Sequence, residues 1–341
     1  MSDAVRVYFD EAAFDHDPGS HHVESASRIR SLVSTLHDQQ LGYVEVLTPS
    51  APSWEAVARV HHPAYIERVR SLEGRSVALD PDTQLSPNSL SAIRGGVAAA
   101  TAGIDALAKG EVRRAFSVMR PPGHHAEADR AMGFCIFNNC AVAAAHAVAA
   151  GFERVLVIDW DVHHGNGTQH AFYDRRDVLV FNVHQFPFYP GTGAMEEQGR
   201  GPGVGYTVNA PFPPGMGDAD YARLFRELLV PVAESFAPSM VIVSAGFDGH
   251  REDPLGGMRV SGEGFAQLAK TARDIADRFA EGRLFLLLEG GYDPAAVRES
   301  ALACLAIQHG DTGPETRHDY ARGSDAHLRE LLSCHRTHWK L

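Results

Sequence analysis

The chain has 341 residues, 44% of them hydrophobic and 22% charged, which is the composition of a folded globular protein rather than a disordered one. No stretch approaches the ~20 consecutive apolar residues of a membrane-spanning helix. A net charge of −12 with histidines neutral disfavours direct nucleic-acid binding, which needs basic surface, and suits cationic substrates and plain solubility alike.

The first residues read as a strand over 5–9, not as a signal peptide with a basic start and an apolar core. Helical patterns follow over 25–39, 64–72 and 89–108. A strand over 115–119 leads to a helix over 138–149. A buried run over 155–158 precedes a short helical turn over 168–173, then a strand over 178–183. The segment 186–217 is rich in glycine and proline and reads as a long loop of functional type. Beyond it come a helix over 219–236, a strand over 240–244, a helix over 264–280, a strand over 284–288 and a helix over 294–306. Strands alternating with helices predict α/β architecture: three α/β/α layers around a mostly parallel sheet of about eight strands. No composition break divides the chain, so one domain over 1–341 is expected, with a core over about 5–310 and a helical extension over about 311–341.

The polar motifs share one polarity. Arg120-Pro121-Pro122-Gly123-His124-His125, Asp159-Trp160-Asp161-Val162-His163, His184, Gly246-Phe247-Asp248 and Glu289-Gly290-Gly291-Tyr292 each follow a predicted strand. Open parallel sheets bind ligands beyond their strand carboxyl ends. Residues two apart in extended chain point the same way, so Asp159, Asp161 and His163 leave one strand end on one side. Two carboxylates and an imidazole aimed together are costly to bury without a cation. With Asp248 as third carboxylate, Asp161, His163 and Asp248 make a set that suits one zinc with an open position. Asp159 faces a second, structural cation or orients a histidine. His124 and His125, behind a proline-stiffened lead-in, are candidates for proton transfer. Tyr292 is a candidate donor to an oxyanion. The cysteines 135, 140, 304 and 334 match no zinc-finger spacing and read as structural thiols of a reducing compartment.

Together these motifs, with Gly133-Phe134-Cys135-Ile136-Phe137-Asn138-Asn139 and an early Glu24-Ser25-x-x-Arg28 element, resemble the zinc-dependent histone deacetylase family, within the arginase/deacetylase fold. Asn138-Asn139, Asn166 and Asp253-Pro254-Leu255-Gly256-Gly257 are similar to its class II branch and to bacterial histone deacetylase-like and acetylpolyamine amidohydrolases. The resemblance implies zinc on Asp161, His163 and Asp248. It implies His125 as general base and acid, His124 as its electrostatic neighbour and Tyr292 as the carbonyl-polarising hydroxyl. Asp159 and Asn182 match positions around a structural potassium ion. Gly133, Phe134 and Tyr189 match an acyl-lysine tunnel with Leu255 at its rim.

Asn166 stands where class I members carry an aspartate, which makes His125 less basic. The implied reaction is hydrolysis of an N-acetyl amide, on acetyl-lysine or on an acetylated polyamine. A two-manganese ureohydrolase and a non-catalytic acyl-lysine binding module are the rival readings. No membrane or nucleic-acid partner is expected, a homo-oligomer stays open, and the expected location is cytoplasmic.

Overall fold

In the computed structural model, residues 2–38, 41–315 and 319–341 are described. The strands are β1 (Ser2–Tyr8), β2 (Val44–Leu47), β3 (Val77–Ala78), β4 (Gln84–Leu85), β5 (Val112–Ser117), β6 (Val155–Asp159), β7 (Val178–Gln185), β8 (Thr207–Phe212), β9 (Met240–Ala245) and β10 (Leu284–Leu288). The helices are α1 (Ser27–Asp38), α2 (Trp54–Val57), α3 (Pro63–Arg70), α4 (Ser89–Ala108), α5 (Asn139–Ala149), α6 (Asn166–Phe172), α7 (Asp218–Leu224), α8 (Val230–Phe236), α9 (Gly262–Phe279), α10 (Pro294–His309) and α11 (Ser324–His335).

Eight strands form one sheet in the order β2-β1-β5-β10-β9-β6-β7-β8, and each neighbouring pair is parallel. β5, β6, β7, β9 and β10 are buried nearly throughout, as expected of strands covered by helices on both faces. The chain winds outward from β6 through β7 to β8, then returns to lay β9 on the other side of β6. Strand order therefore reverses between β6 and β9, which opens a crevice at their carboxyl ends. The fold class expected from the sequence is the one found.

Several elements differ from the expectation. The segment 186–217 is not all loop, because β8 lies inside it. Pro211 has no N–H for a ladder and is tolerated because β8 is the sheet's last strand. β2 escaped notice because it is short and only partly buried. The helix over 219–236 is α7 and α8 joined by a π turn at Phe225–Leu229, placed just before Pro231, whose ring and missing N–H disturb a regular helix. His184 sits inside β7, not beyond it, and its Nε2 pairs with the Gly193 carbonyl at 2.9 Å. The predicted helix end at Gln39 lies outside the described residues, as do residues 316–318 of the C-terminal extension.

Candidate active site

The carboxyl ends of β6, β9 and β10 bring the acidic motifs together. Among the described residues, Asp161, His163 and Asp248 have ligand atoms all within 4.8 Å of one another. Both carboxylates converge on one ring nitrogen: His163 Nδ1 lies 3.2 Å from Asp161 Oδ1 and 3.0 Å from Asp248 Oδ2. Burial alone would lower His163, but its bonds to Asp161 and Asp248 outweigh that and raise it to about 10. Burial and the Asp161 charge push Asp248 up to about 7. These shifts both favour a bound proton, and a divalent cation among the same groups would relieve the repulsion in its place.

Two glycines make room for the carboxylates. A Cβ at Gly246 would stand 2.1 Å from Asp161 Oδ2, and one at Gly290 would stand 2.1 Å from Asp248 Oδ2. The Gly290 N–H also donates to Asp161 Oδ2 at 2.8 Å. These glycines of two separate motifs are required by close approach, not by the turns they occupy.

The histidine pair lies beside this cluster. His124 Nδ1 donates to Asp159 Oδ2 at 3.0 Å, and its Nε2 is 3.7 Å from Asp161 Oδ1. Burial opposes its charge, but Asp161 and Asp159 hold the imidazole well above its ordinary value. His125 Nδ1 is 2.8 Å from Asn166 Oδ1. Burial and then the charges of His124 and His163 push His125 well below its ordinary value. The two rings are thus biased in opposite directions, His124 toward its charged form and His125 toward its neutral form.

Asp159 pairs with Asn182 across the β6–β7 ladder. Asn182 Nδ2 donates to Asn209 Oδ1 at 3.0 Å, while Asn182 Oδ1 is buried with no hydrogen-bond donor. A Cβ at Gly165 would lie 2.3 Å from Asp159 Oδ2 and 3.3 Å from Asn182 Oδ1, so both oxygens face the same point.

Aromatic rings pack around these histidines. Gly133 and Phe134 are consecutive left-handed residues, with φ of 57° and 68°. The second is unusual for a side chain of this size and is held by paired bonds between Met132 and Cys135 and by Thr83 Oγ1 accepting from its N–H at 3.0 Å. A Cβ at Gly133 would strike His125 Cδ2 at 2.5 Å and lie 3.1 Å from the Tyr189 hydroxyl. Phe134 meets the Tyr292 ring edge-on at 5.9 Å, and Tyr189 meets His125 edge-on at 5.1 Å. Phe188, which sequence reasoning did not single out, stacks on His163 at 5.3 Å with planes 13° apart. Leu255 is tied to Tyr292 through Asp253, whose Oδ1 accepts the Leu255 N–H at 3.0 Å and whose Oδ2 accepts the Tyr292 N–H at 2.6 Å. Burial pushes the Tyr292 hydroxyl well above its ordinary value, so it stays a donor.

Two buried acids organise this machinery. Glu289 Oε2 accepts the N–H groups of Gly123 at 2.6 Å and His124 at 3.0 Å, so the β10 loop positions the histidine-bearing loop. The Glu24 carboxylate receives two bonds from Arg120 and one from Arg28, while Arg28 donates to the carbonyls of Glu289 and Gly291. The acidic character of both was legible, but the backbone groups held by Glu289 and the Arg120 partner of Glu24 were not, because they are remote in sequence.

A histone deacetylase domain model matches residues 22–308. The chain belongs to the histone deacetylase family. It is 38% identical over 328 residues to a histone deacetylase-like amidohydrolase of Pseudomonas aeruginosa, covering 89% of this chain and 86% of that one. It is 36% identical over 293 residues to a probable deacetylase of Archaeoglobus fulgidus, covering 84% and 80%. Histone deacetylase 15 of Arabidopsis thaliana is 45% identical over 206 residues, which span only 37% of that longer protein. The crystal structure of the HDA15 HD domain superposes with a TM-score of 0.92 at 32% identity, covering 99% of this chain and 96% of that one. Family membership makes the chain one of the hydrolytic deacetylases and amidohydrolases.

Proposed function

We propose that the protein is a zinc-dependent deacetylase hydrolysing the N-acetyl amide of acetyl-lysine in a protein or peptide, with an acetylated polyamine as the second substrate class. The observation that carries this reading is the convergence of Asp161, His163 and Asp248 within 4.8 Å, next to the paired rings of His124 and His125.

The donor set of two carboxylate oxygens and one imidazole nitrogen fits zinc with a coordination position left open. When bound there, zinc supplies Lewis acidity to a carbonyl oxygen and to water. His125, neutral and with Nε2 as its free acceptor, takes the proton from the attacking water. Tyr292 donates its hydroxyl to the oxyanion that forms on the acetyl carbonyl. His125 then returns the proton to the departing amine nitrogen, and acetate remains. His124, held cationic by Asp159 and Asp161, favours the neutral form of His125 before the reaction. Phe134, Tyr189 and Phe188 fit an uncharged methylene stem. The orphaned Asn182 Oδ1 beside Asp159 suits a hard monovalent cation, so a structural potassium there is part of the proposal.

Purified protein stripped by chelator should be inactive, and one equivalent of zinc should restore hydrolysis of an acetyl-lysine peptide or an acetylated polyamine. Failure to turn over either substrate, or any longer acyl analogue, overturns the reading. Two catalytic metals per chain would favour a ureohydrolase.

A further inference from the structure

We infer that Glu127 is a positioning residue for His125, acting through the side-chain amide of Asn166. The inference deepens the deacetylase reading and rests on it for its kinetic test. An asparagine facing a histidine is ambivalent, because its amide offers either an oxygen or an NH2 group to the ring. Here the choice is made from behind. Asn166 Nδ2 donates to Glu127 Oε1 at 2.6 Å and to the His125 carbonyl at 3.3 Å. With Met132 Sδ a further, weak acceptor at 3.5 Å, the amide NH2 faces acceptors alone, and Oδ1 is left facing His125 Nδ1 at 2.8 Å. Only a protonated Nδ1 satisfies that oxygen, so Nε2 carries the free lone pair.

Turning the amide over would set its oxygen against the Glu127 carboxylate and its NH2 against Nδ1–H. Each mismatch leaves a buried polar group unsatisfied, at about 1–3 kcal/mol. Glu127 is only 8% exposed. Its carboxylate is itself held by His170, whose Nδ1 lies 2.9 and 3.0 Å from the two oxygens, and Arg130 Nη2 approaches to 3.8 Å. The carboxylate that could sit directly on the ring has thus moved one residue outward, to a position two residues after His125 in sequence.

The test compares kcat and KM for the native enzyme, Glu127→Ala, Glu127→Gln and Glu127→Ala/Asn166→Asp. Loss of the Glu127 carboxylate to alanine is expected to lower kcat roughly tenfold or more, within the range of general acid–base effects, with KM within about twofold. Glutamine should retain most of the rate, because its amide oxygen still accepts from Asn166. Asn166→Asp should restore the alanine variant, because an aspartate has no donor to turn toward the ring. A role confined to bracing the turn at 126–132 would not be rescued this way. Glu127→Ala with kcat within twofold of native, or a double variant as slow as Glu127→Ala, overturns the inference.

Should Glu127→Ala fail to fold, the native protein and Glu127→Gln decide: His125 found as the Nε2–H tautomer, with Nδ1 unprotonated against Asn166, overturns the inference, and the Nδ1–H tautomer together with native-like kcat in Glu127→Gln supports it. The His125 tautomer, read from 15N-imidazole NMR of native and Glu127→Ala protein, needs no substrate. An Nδ1–H form lost in the variant supports the inference, and an unchanged tautomer overturns it, even if the deacetylase reading fails.

Discussion

At Gly290 a single Cβ would disturb the cluster of Asp161, His163 and Asp248. That atom would overlap Asp248 Oδ2 at 2.1 Å and crowd Asp161 Oδ2 at 2.6 Å, and both carboxylates are fully buried. Gly290→Ala is therefore expected to cost about 1–3 kcal/mol of stability from overpacking and to weaken zinc binding at least about tenfold. Denaturant melts and zinc titration would show it; unchanged affinity would mean the carboxylates relax freely. Tyr292 gives a complementary test, since its ring packs against Phe134 while only its hydroxyl is assigned to chemistry. Tyr292→Phe should lower kcat roughly 10²–10³-fold, as loss of one oxyanion donor does elsewhere, with little change in melting temperature. A rate within about threefold of native would remove the hydroxyl from the mechanism.

At the scale of elements, the least expected feature is the way β8 is covered. An edge strand presents unpaired backbone groups to solvent. Here α11 takes up two of them: His335 Nε2 donates to the Asn209 carbonyl at 2.9 Å and His327 donates to that of Pro211, while beyond α11 Trp339 Nε1 donates to the Gly205 carbonyl, just before the strand, at 2.9 Å. Leu328 and Leu331 are buried at this contact. Each buried leucine contributes about 1.5–3 kcal/mol by area. Deleting residues 323–341 should lower the melting temperature and produce concentration-dependent association on size-exclusion chromatography. A truncated chain as stable and monodisperse as the full one would show that β8 needs no cover. The helical extension was anticipated from the sequence, but its partner was not, because β8 itself was hidden among glycines and prolines.

For the molecule as a whole, acid should be destabilising through buried neutral histidines. Burial lowers His16 and His61 from 6.5 to about 4. His61 shows why: Nε2 accepts the Asn138 N–H at 2.9 Å while Nδ1 donates to the Glu127 carbonyl at 2.9 Å, and a second proton would break the first bond. Because the unfolded chain takes up these protons first, stability is fully present above about pH 6.5, falls as pH drops toward 4, and then levels for these groups. Each histidine contributes up to about 3 kcal/mol over that window. Urea melts between pH 7 and 4.5 should show the decline, and His61→Phe should flatten part of it while lowering stability at pH 7. No described helix is long and apolar enough to cross a membrane.

The fold class and the three side chains that cluster at the ends of β6 and β9 were legible because both depend largely on local order. Alternating strand and helix patterns call for a parallel sheet, and residues two apart at a strand end share a direction whatever surrounds them. What only the tertiary structure decided are the contacts between motifs: Glu289 holding the histidine loop, Phe188 stacked on His163, Glu127 orienting Asn166, and α11 closing the edge of β8. Each depends on which strands lie side by side, and that order is set by burial summed over the whole chain rather than by any segment's own pattern.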